Sequence, residues 1–281
     1  MSESIFLTDG ELFTPTEHAR GPWDPRALHG GAPAALMAAA FERMEPGAEL
    51  PFARLSFEFL RPAPTSPLKL TTRISRPGRR VQALEGELST EGMTVCRARA
   101  LRILAAPEEL PELAIAQAQA ARPPVIAAPA DGQDVRFALD DAERKSFAAT
   151  AMEMRFLSGQ PLTGELPEQG ASANHVPSGS ATVWMRLRHP LVPGEPLTTI
   201  ARVAAAADFG NGVAAVLPFD EYLFINADLT ISLDRRPAGE WIALQAHTLL
   251  HPGGIGWAES VLHDERGPLG RATQALVVQR R

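Results

Sequence analysis

The alternation of apolar and polar positions divides the chain into short extended segments around two continuous apolar stretches. "SIFLTDGELFTPT" reads as a hairpin turning at Asp9-Gly10. From Ala32 to Phe41 no charge interrupts "GPWDPRALHGGAPAALMAAAFERM", which predicts a helix with Pro33 in its first turn. A helix apolar on nearly every face is one wrapped by other structure. "FARLSFEFLRP" then alternates with Leu55, Phe57 and Phe59 on one face, and "LKLTTRISR", "VQALEGELST" and "TVCRARALRIL" follow as strands between Pro77-Gly78 and Glu91-Gly92 turns.

The last third repeats this order. "TVWMRLR" reads as a strand and "PLTTIARVAAAADF" as a second apolar helix. "LFINADLTISL", "EWIALQAHTLL", "GWAESVLHDE" and "LGRATQALVVQ" read as four further strands. Between the two patterns lies an Ala-, Pro- and Gln-rich stretch, with a short helix ended by Pro123-Pro124. The expected organisation is an N-terminal unit over 1–105, a linker over 106–145 and a C-terminal unit over 146–281, the last carrying an extended surface loop from Ser158 to Ser180. The fold class is α+β: two fused units, each a long central helix wrapped by an antiparallel sheet.

Composition narrows the possible functions. A net charge of −6 argues against nucleic acid as the partner, because phosphate backbones are met by basic faces. The single cysteine, Cys96, allows no internal disulfide and no cysteine metal cluster, which fits a reducing compartment. The first residues carry neither a basic leader nor an apolar core, and no apolar run is long enough for a bilayer span. The expected location is cytoplasmic, without a membrane partner.

Trp23, "LHGG" and "AALMAAA", followed by "ARLSFEFLRP" and "RISRPGRR", resemble the N-terminal half of thioesterase-like double-hotdog proteins. "AAADF", "NADLTISLDRRPAGEWIAL", Gly256, Ser260, "HDERG" and "TQALVV" are similar to the C-terminal half of the same superfamily, which includes the type II acyl-CoA thioesterases. The resemblance implies hydrolysis of an acyl-CoA by an activated water, with no covalent enzyme intermediate, no metal and no cofactor beyond the coenzyme A of the substrate. It also implies a double hotdog with one continuous sheet, in a chain that associates as a homodimer.

Thioester hydrolysis needs donors for an oxyanion and groups that orient a water. Gly30 and Gly31, ahead of the first helix, suit the first task, because they let a carbonyl reach amides at a helix N-terminus. A tight turn or a close helix crossing is the structural alternative. Asp228, Thr248 and Gln274 match the family's water-activating acid, hydroxyl and amide. Counting from Trp241 without gaps, however, places the family's threonine on Leu249, one residue past Thr248. Asp208 matches a family aspartate near the end of the second helix and joins His29, Gly30 and Gly31 as the substrate-binding set. Arg76, Arg79 and Arg80 form a basic turn able to meet coenzyme A phosphates, or an ordinary basic surface.

Two other functions compete. Asp24 and His29 have the spacing of the hotdog enoyl-CoA hydratases, without the asparagine and Pro-Leu-His context of that motif. A non-catalytic acyl-CoA or lipid-binding protein would keep the fold and lack the water-activating trio.

Overall fold

The structure, a computed structural model, describes residues 3–44, 50–105, 110–135, 145–159, 178–219 and 221–281. The N-terminal half contains β1 (Phe6–Thr8), β2 (Leu12–Pro15), α1 (Gly31–Arg43), β3 (Phe52–Phe59), β4 (Leu68–Arg76), β5 (Val81–Thr90) and β6 (Met93–Ile103). The connecting stretch forms α2 (Glu112–Ala120), exposed throughout, and the two-residue strand β7 (Gln133–Asp134). The C-terminal half contains β8 (Met152–Ser158), β9 (Ser180–Leu187), α3 (Thr199–Ala207), the single turn α4 (Gly210–Val213), β10 (Tyr222–Asn226), β11 (Asp228–Leu233), β12 (Ile242–His251), β13 (Ile255–Asp264) and β14 (Gly267–Arg280).

The fourteen strands of the described residues join one antiparallel sheet in the order β1-β2-β4-β5-β6-β3-β11-β14-β13-β12-β9-β8-β7, with β10 also paired to β14. The duplication expected from the pattern is visible in this order. The run β2-β4-β5-β6-β3 is matched by β9-β12-β13-β14-β11, with a helix following the first strand of each set. The halves meet where β3 pairs β11, from Asp228 opposite Glu58 to Ser232 opposite Arg54. This is the double hotdog.

The two helices lie against each other as well as against the sheet. Their small side chains allow it: Ala34, Ala35, Ala38 and Ala39 on α1, and Ala201, Ala204 and Ala205 on α3, are all buried. α1 ends on a buried cation, because the Arg102 guanidinium donates to the carbonyls of Phe41 and Met44 at 2.6 and 3.0 Å. That satisfies carbonyls a helix C-terminus leaves without partners. Among the described residues no helix is long and apolar enough to cross a membrane.

Four readings change. The helix starts at Gly31 itself, with Gly30 as its N-cap, so the glycines belong to the helix terminus rather than precede it. "MEMRFLS" forms β8, unread in the sequence because buried Met152, Glu153 and Met154 in succession break the two-residue period. Within the expected linker, Gln133 and Asp134 pair with Phe156 and Arg155, extending the C-terminal sheet. "LFINADLTISL" is two strands, not one, broken at Ala227. The extended loop expected over 158–180 falls, for residues 160–177, outside the described residues.

The break at Ala227 is a β-bulge. Before it Asn226 pairs with Leu276; after it Thr230 pairs with Thr273, so β10 and β11 together contain one residue more than β14 across the step. An extra residue inverts which face the following side chains occupy. Asn226 therefore stays on the inner face, whereas Asp228 joins Thr230 and Ser232 on the outer one, opposite the buried Leu229 and Ile231.

Candidate active site

Where the halves meet, a cleft of about 440 Å³ opens at the N-terminus of α1. Trp23, Phe59 and Cys96 line it from the first half, and Asn211, Phe219 and Phe224 from the second. Trp23 stacks on Phe219 at 4.3 Å between centroids and meets the edge of Phe224 at 5.0 Å. The walls are thus largely apolar and aromatic, and the polar groups gather at one end.

Those polar groups are His29, Gly30, Asp208 and Asn226. Asp208 caps the C-terminus of α3 and is buried, with its carboxylate held between the two halves. Its Oδ1 accepts from the Asn226 side-chain amide at 2.8 Å, and its Oδ2 lies 3.0 Å from His29 Nδ1. The backbone there is fixed from behind. Gln274 donates to the Asp208 carbonyl at 3.1 Å and accepts from the Asn211 amide at 3.0 Å.

His29 Nδ1 is also 3.0 Å from the Gly31 amide, which donates to it. One ring nitrogen serves one of these partners at a time: protonated, it donates to Asp208; unprotonated, it accepts from Gly31. Nε2 takes the complementary state in each case and has no protein partner among the described residues. The ring packs against Phe209, at 4.3 Å, and Phe147, at 5.1 Å, which themselves stack at 5.9 Å, so the three rings form a triangle.

The two glycines separate into two tasks. Gly30 lines the cleft, and its amide makes no hydrogen bond among the described residues. A Cβ there would stand 2.8 Å from Asp208 Oδ2, so only glycine lets the carboxylate approach the helix terminus. Gly31 is fully packed. A Cβ there would lie 2.8 Å from the Ala205 carbonyl and 2.9 Å from the Phe147 ring, so this glycine serves the α1–α3 crossing.

His29, Gly30, Gly31 and Asp208 are therefore brought together as the sequence implied. The trio Asp228, Thr248 and Gln274 is not. Asp228 faces outward and accepts the Ala275 amide at 2.7 Å, an amide displaced from regular pairing by the bulge. Thr248 and Gln274 share one inward row, Thr248-Ala258-Gln274 across β12, β13 and β14, two strand spacings or about 10 Å apart. Of the two neighbouring candidates, Thr248 is buried and Leu249 is 51% exposed. The Thr248 hydroxyl has no hydrogen-bond partner among the described residues. Gln274 is spent on backbone groups and does not line the cleft.

The basic turn is also remote. The Arg80 carbonyl accepts the Leu104 amide just past the end of β6, whereas Cys96, near the start of that strand, lines the cleft. Eight residues at about 3.3 Å each put roughly 26 Å between them. Arg61 is the cation among the cleft-lining residues described, its guanidinium donating to the Thr94 carbonyl at 3.1 Å. Asp24 also lines the cleft, but it forks with the Arg26 guanidinium at 3.1–3.2 Å, and the acid paired to His29 is Asp208. Burial, then the negative charges of Asp208 and Glu58, push the Cys96 thiol far above the usual range, so it stays protonated.

Sequence reasoning missed Asn226 and Asn211. An asparagine two residues before Asp228 gave no signal, because strict alternation puts both on one face and the acid is the more conspicuous of the two.

A family model for the acyl-CoA thioesterase N-terminal domain matches residues 19–103, and one for the acyl-CoA thioesterase C-terminal domain matches residues 123–278. Among solved structures, a conserved protein of unknown function with hot dog fold from Alicyclobacillus acidocaldarius is similar at a TM-score of 0.68 and 18% identity, over 98% of this chain and 95% of that one. A putative thioesterase II from Thermobifida fusca YX is similar at 0.67 and 20%, with the same coverage. Acyl-CoA thioesterase II TesB2 from Mycobacterium marinum is similar at 0.62 and 16%, over 100% of this chain and 95% of that one. No curated protein matches. At these identities the structures show a shared fold. The family models, which together span most of the chain, show that it belongs to the acyl-CoA thioesterase family.

Proposed function

We propose that the chain hydrolyses an acyl-CoA thioester in the cleft at the N-terminus of α1, with His29 as the general base and Asp208 as its orienting acid. The observation that carries this reading is the His29–Asp208 pair at 3.0 Å beside the unengaged Gly30 amide, at the polar end of an apolar cleft. With a proton on Nδ1 donated to Asp208, the lone pair on Nε2 takes a proton from water as the water oxygen attacks the thioester carbonyl. The tetrahedral oxyanion is met by the Gly30 amide and the positive end of α1. Collapse breaks the C–S bond, and the imidazolium returns its proton to the departing thiolate, releasing free acid and coenzyme A.

The apolar walls suit an acyl chain, and Arg61 is the cation available to a phosphate in place of Arg76, Arg79 and Arg80. A second copy of the chain in a cytoplasmic homodimer is the expected assembly. It is supported by the apolar Leu249, Ile255 and Trp257 on the outer face of β12 and β13, each at least 40% exposed.

The test is a panel of saturated acyl-CoAs and 2-enoyl-CoAs. Thiol release from the saturated series supports the proposal. Loss of conjugated absorbance without thiol release identifies a hydratase. Ligand-induced thermal stabilisation with neither reaction identifies a binding protein.

A further inference from the structure

Away from the cleft, Glu3, His18 and His189 bring one ligating atom each to a common point, all within 4.8 Å of one another. They come from separate parts of the chain. Glu3 precedes β1, His18 sits in the short helical turn Glu17–Ala19, and His189 follows β9 in the other half. His18 Nε2 is 3.4 Å from Glu3 Oε2, and His189 Nε2 is 3.8 Å from the same oxygen. Around a tetrahedral zinc-class ion with bonds of about 2.0–2.1 Å, neighbouring donors lie about 3.3–3.4 Å apart. The His18–Glu3 spacing already fits, and the other separations need to close by at most about 1.5 Å.

A supporting hydrogen bond orients the His18 ring. Thr150 Oγ1 donates its own proton to the Ser146 carbonyl at 2.7 Å, so it accepts at 2.8 Å from His18 Nδ1–H, and Nε2 is left with its lone pair. The His189 ring packs against the oriented His18 ring, 4.4 Å between centroids. A carboxylate or backbone acceptor behind each histidine is the usual support of a metal-binding imidazole. Lys145 is bound to the other Glu3 oxygen, Oε1, at 2.6 Å, which leaves Oε2 for the site. Two imidazole nitrogens and a carboxylate oxygen thus converge from three separate parts of the chain, a donor set that suits a zinc-class ion.

We propose that Glu3, His18 and His189 bind one borderline divalent cation of the zinc class, which ties the N-terminal segment to the C-terminal half. The site stands behind the cleft, not in it. The Ala19 carbonyl, next to His18, accepts the His29 amide, and the Phe147 amide donates to the Arg20 carbonyl, so the ion braces the segments that back His29.

The experiment uses the full chain without a histidine tag, dialysed against a chelator and titrated with zinc or cobalt(II). The expected results are one equivalent per chain by calorimetry, tetrahedral visible bands with cobalt(II), and a melting temperature raised by about 5 °C or more at hundredfold excess over Kd. Glu3→Gln and His189→Ala each weaken binding at least tenfold, and Thr150→Val, which removes no ligand, weakens it about tenfold. Glu3 is half-exposed, so the Glu3→Gln variant keeps the test valid if His189→Ala fails to fold. The proposal is overturned if binding is unchanged in Glu3→Gln. It is equally overturned if zinc leaves the melting temperature unmoved, which identifies the cluster as a proton-sharing ion pair.

Discussion

The Asn226 side-chain amide donates to Asp208 at 2.8 Å, while Asp228, two residues further on, lies on the opposite face of the sheet. The bulge at Ala227 makes the difference, and it reassigns the acid of the site from β11 to the end of α3. Replacing Asn226 by Ala removes a hydrogen bond to a carboxylate, a loss of about 1.5–3 kcal/mol that predicts a 10- to 100-fold fall in kcat. Asp228→Ala removes only the acceptor of the Ala275 amide. It is expected to lower stability by about 1 kcal/mol and leave hydrolysis within about twofold. Steady-state kinetics and urea midpoints on both variants measure the contrast.

The paired glycines give opposite phenotypes. Gly31→Ala forces a methyl against the Ala205 carbonyl and the Phe147 ring. It is expected to cost about 1–3 kcal/mol despite alanine's better helix propensity. Gly30→Ala pushes on the Asp208 carboxylate and covers the free amide, so activity falls while the melting temperature changes little. Calorimetry and thiol-release assays on the two variants distinguish the tasks.

Gln274 acts on structure. Gln274→Ala leaves the Asn211 amide and the Asp208 carbonyl without their partner, in a site where Gln274 is 2% exposed. The expected loss is about 1–3 kcal/mol for each stranded group, read as a lower melting temperature. Thr248→Val removes a buried hydroxyl without a hydrogen-bond partner among the described residues and keeps the shape, so it is expected to be neutral or stabilising with unchanged activity. A large kinetic loss in Thr248→Val returns the hydroxyl to the mechanism.

The Arg235–Asp264 pair gives the acid limb of stability. Burial raises the Asp264 pKa, but the Arg235 fork at 2.6 and 2.7 Å and the amides of Arg266 and Ala238 outweigh it and hold the carboxyl below its ordinary value. A depressed folded pKa stabilises above the unfolded value, about 3.9, and the contribution is lost as pH falls through the folded one. Arg235→Met, which strands a buried charge, is expected to cost about 3–5 kcal/mol at neutral pH. The gap from the wild type narrows as pH falls below about 3.9, toward the lowered folded value. Urea unfolding at both pH values measures it.

The architecture was legible because each half repeats a helix and an alternating sheet, and alternation reports which face is buried. It failed where alternation fails: at β8, whose buried residues run in succession, and at Ala227, where one inserted residue flips the faces. The site followed the same division. His29, Gly30, Gly31 and Asp208 sit at helix ends, whose positions the apolar runs locate. Asp228, Thr248 and Gln274 depend on strand register and on which backbone group captures a side chain, neither of which a single sequence displays. The basic turn was visible as a motif, but its distance from the cleft is a property of the sheet.

The most direct measurement is a double-mutant cycle on thiol release with His29→Ala, Asp208→Asn and both together. If His29 is the base and Asp208 orients it, each single change lowers kcat by about 10²–10⁴, and the double variant is no worse than His29→Ala alone. Additive losses, or a His29→Ala variant that keeps wild-type turnover, would contradict the account.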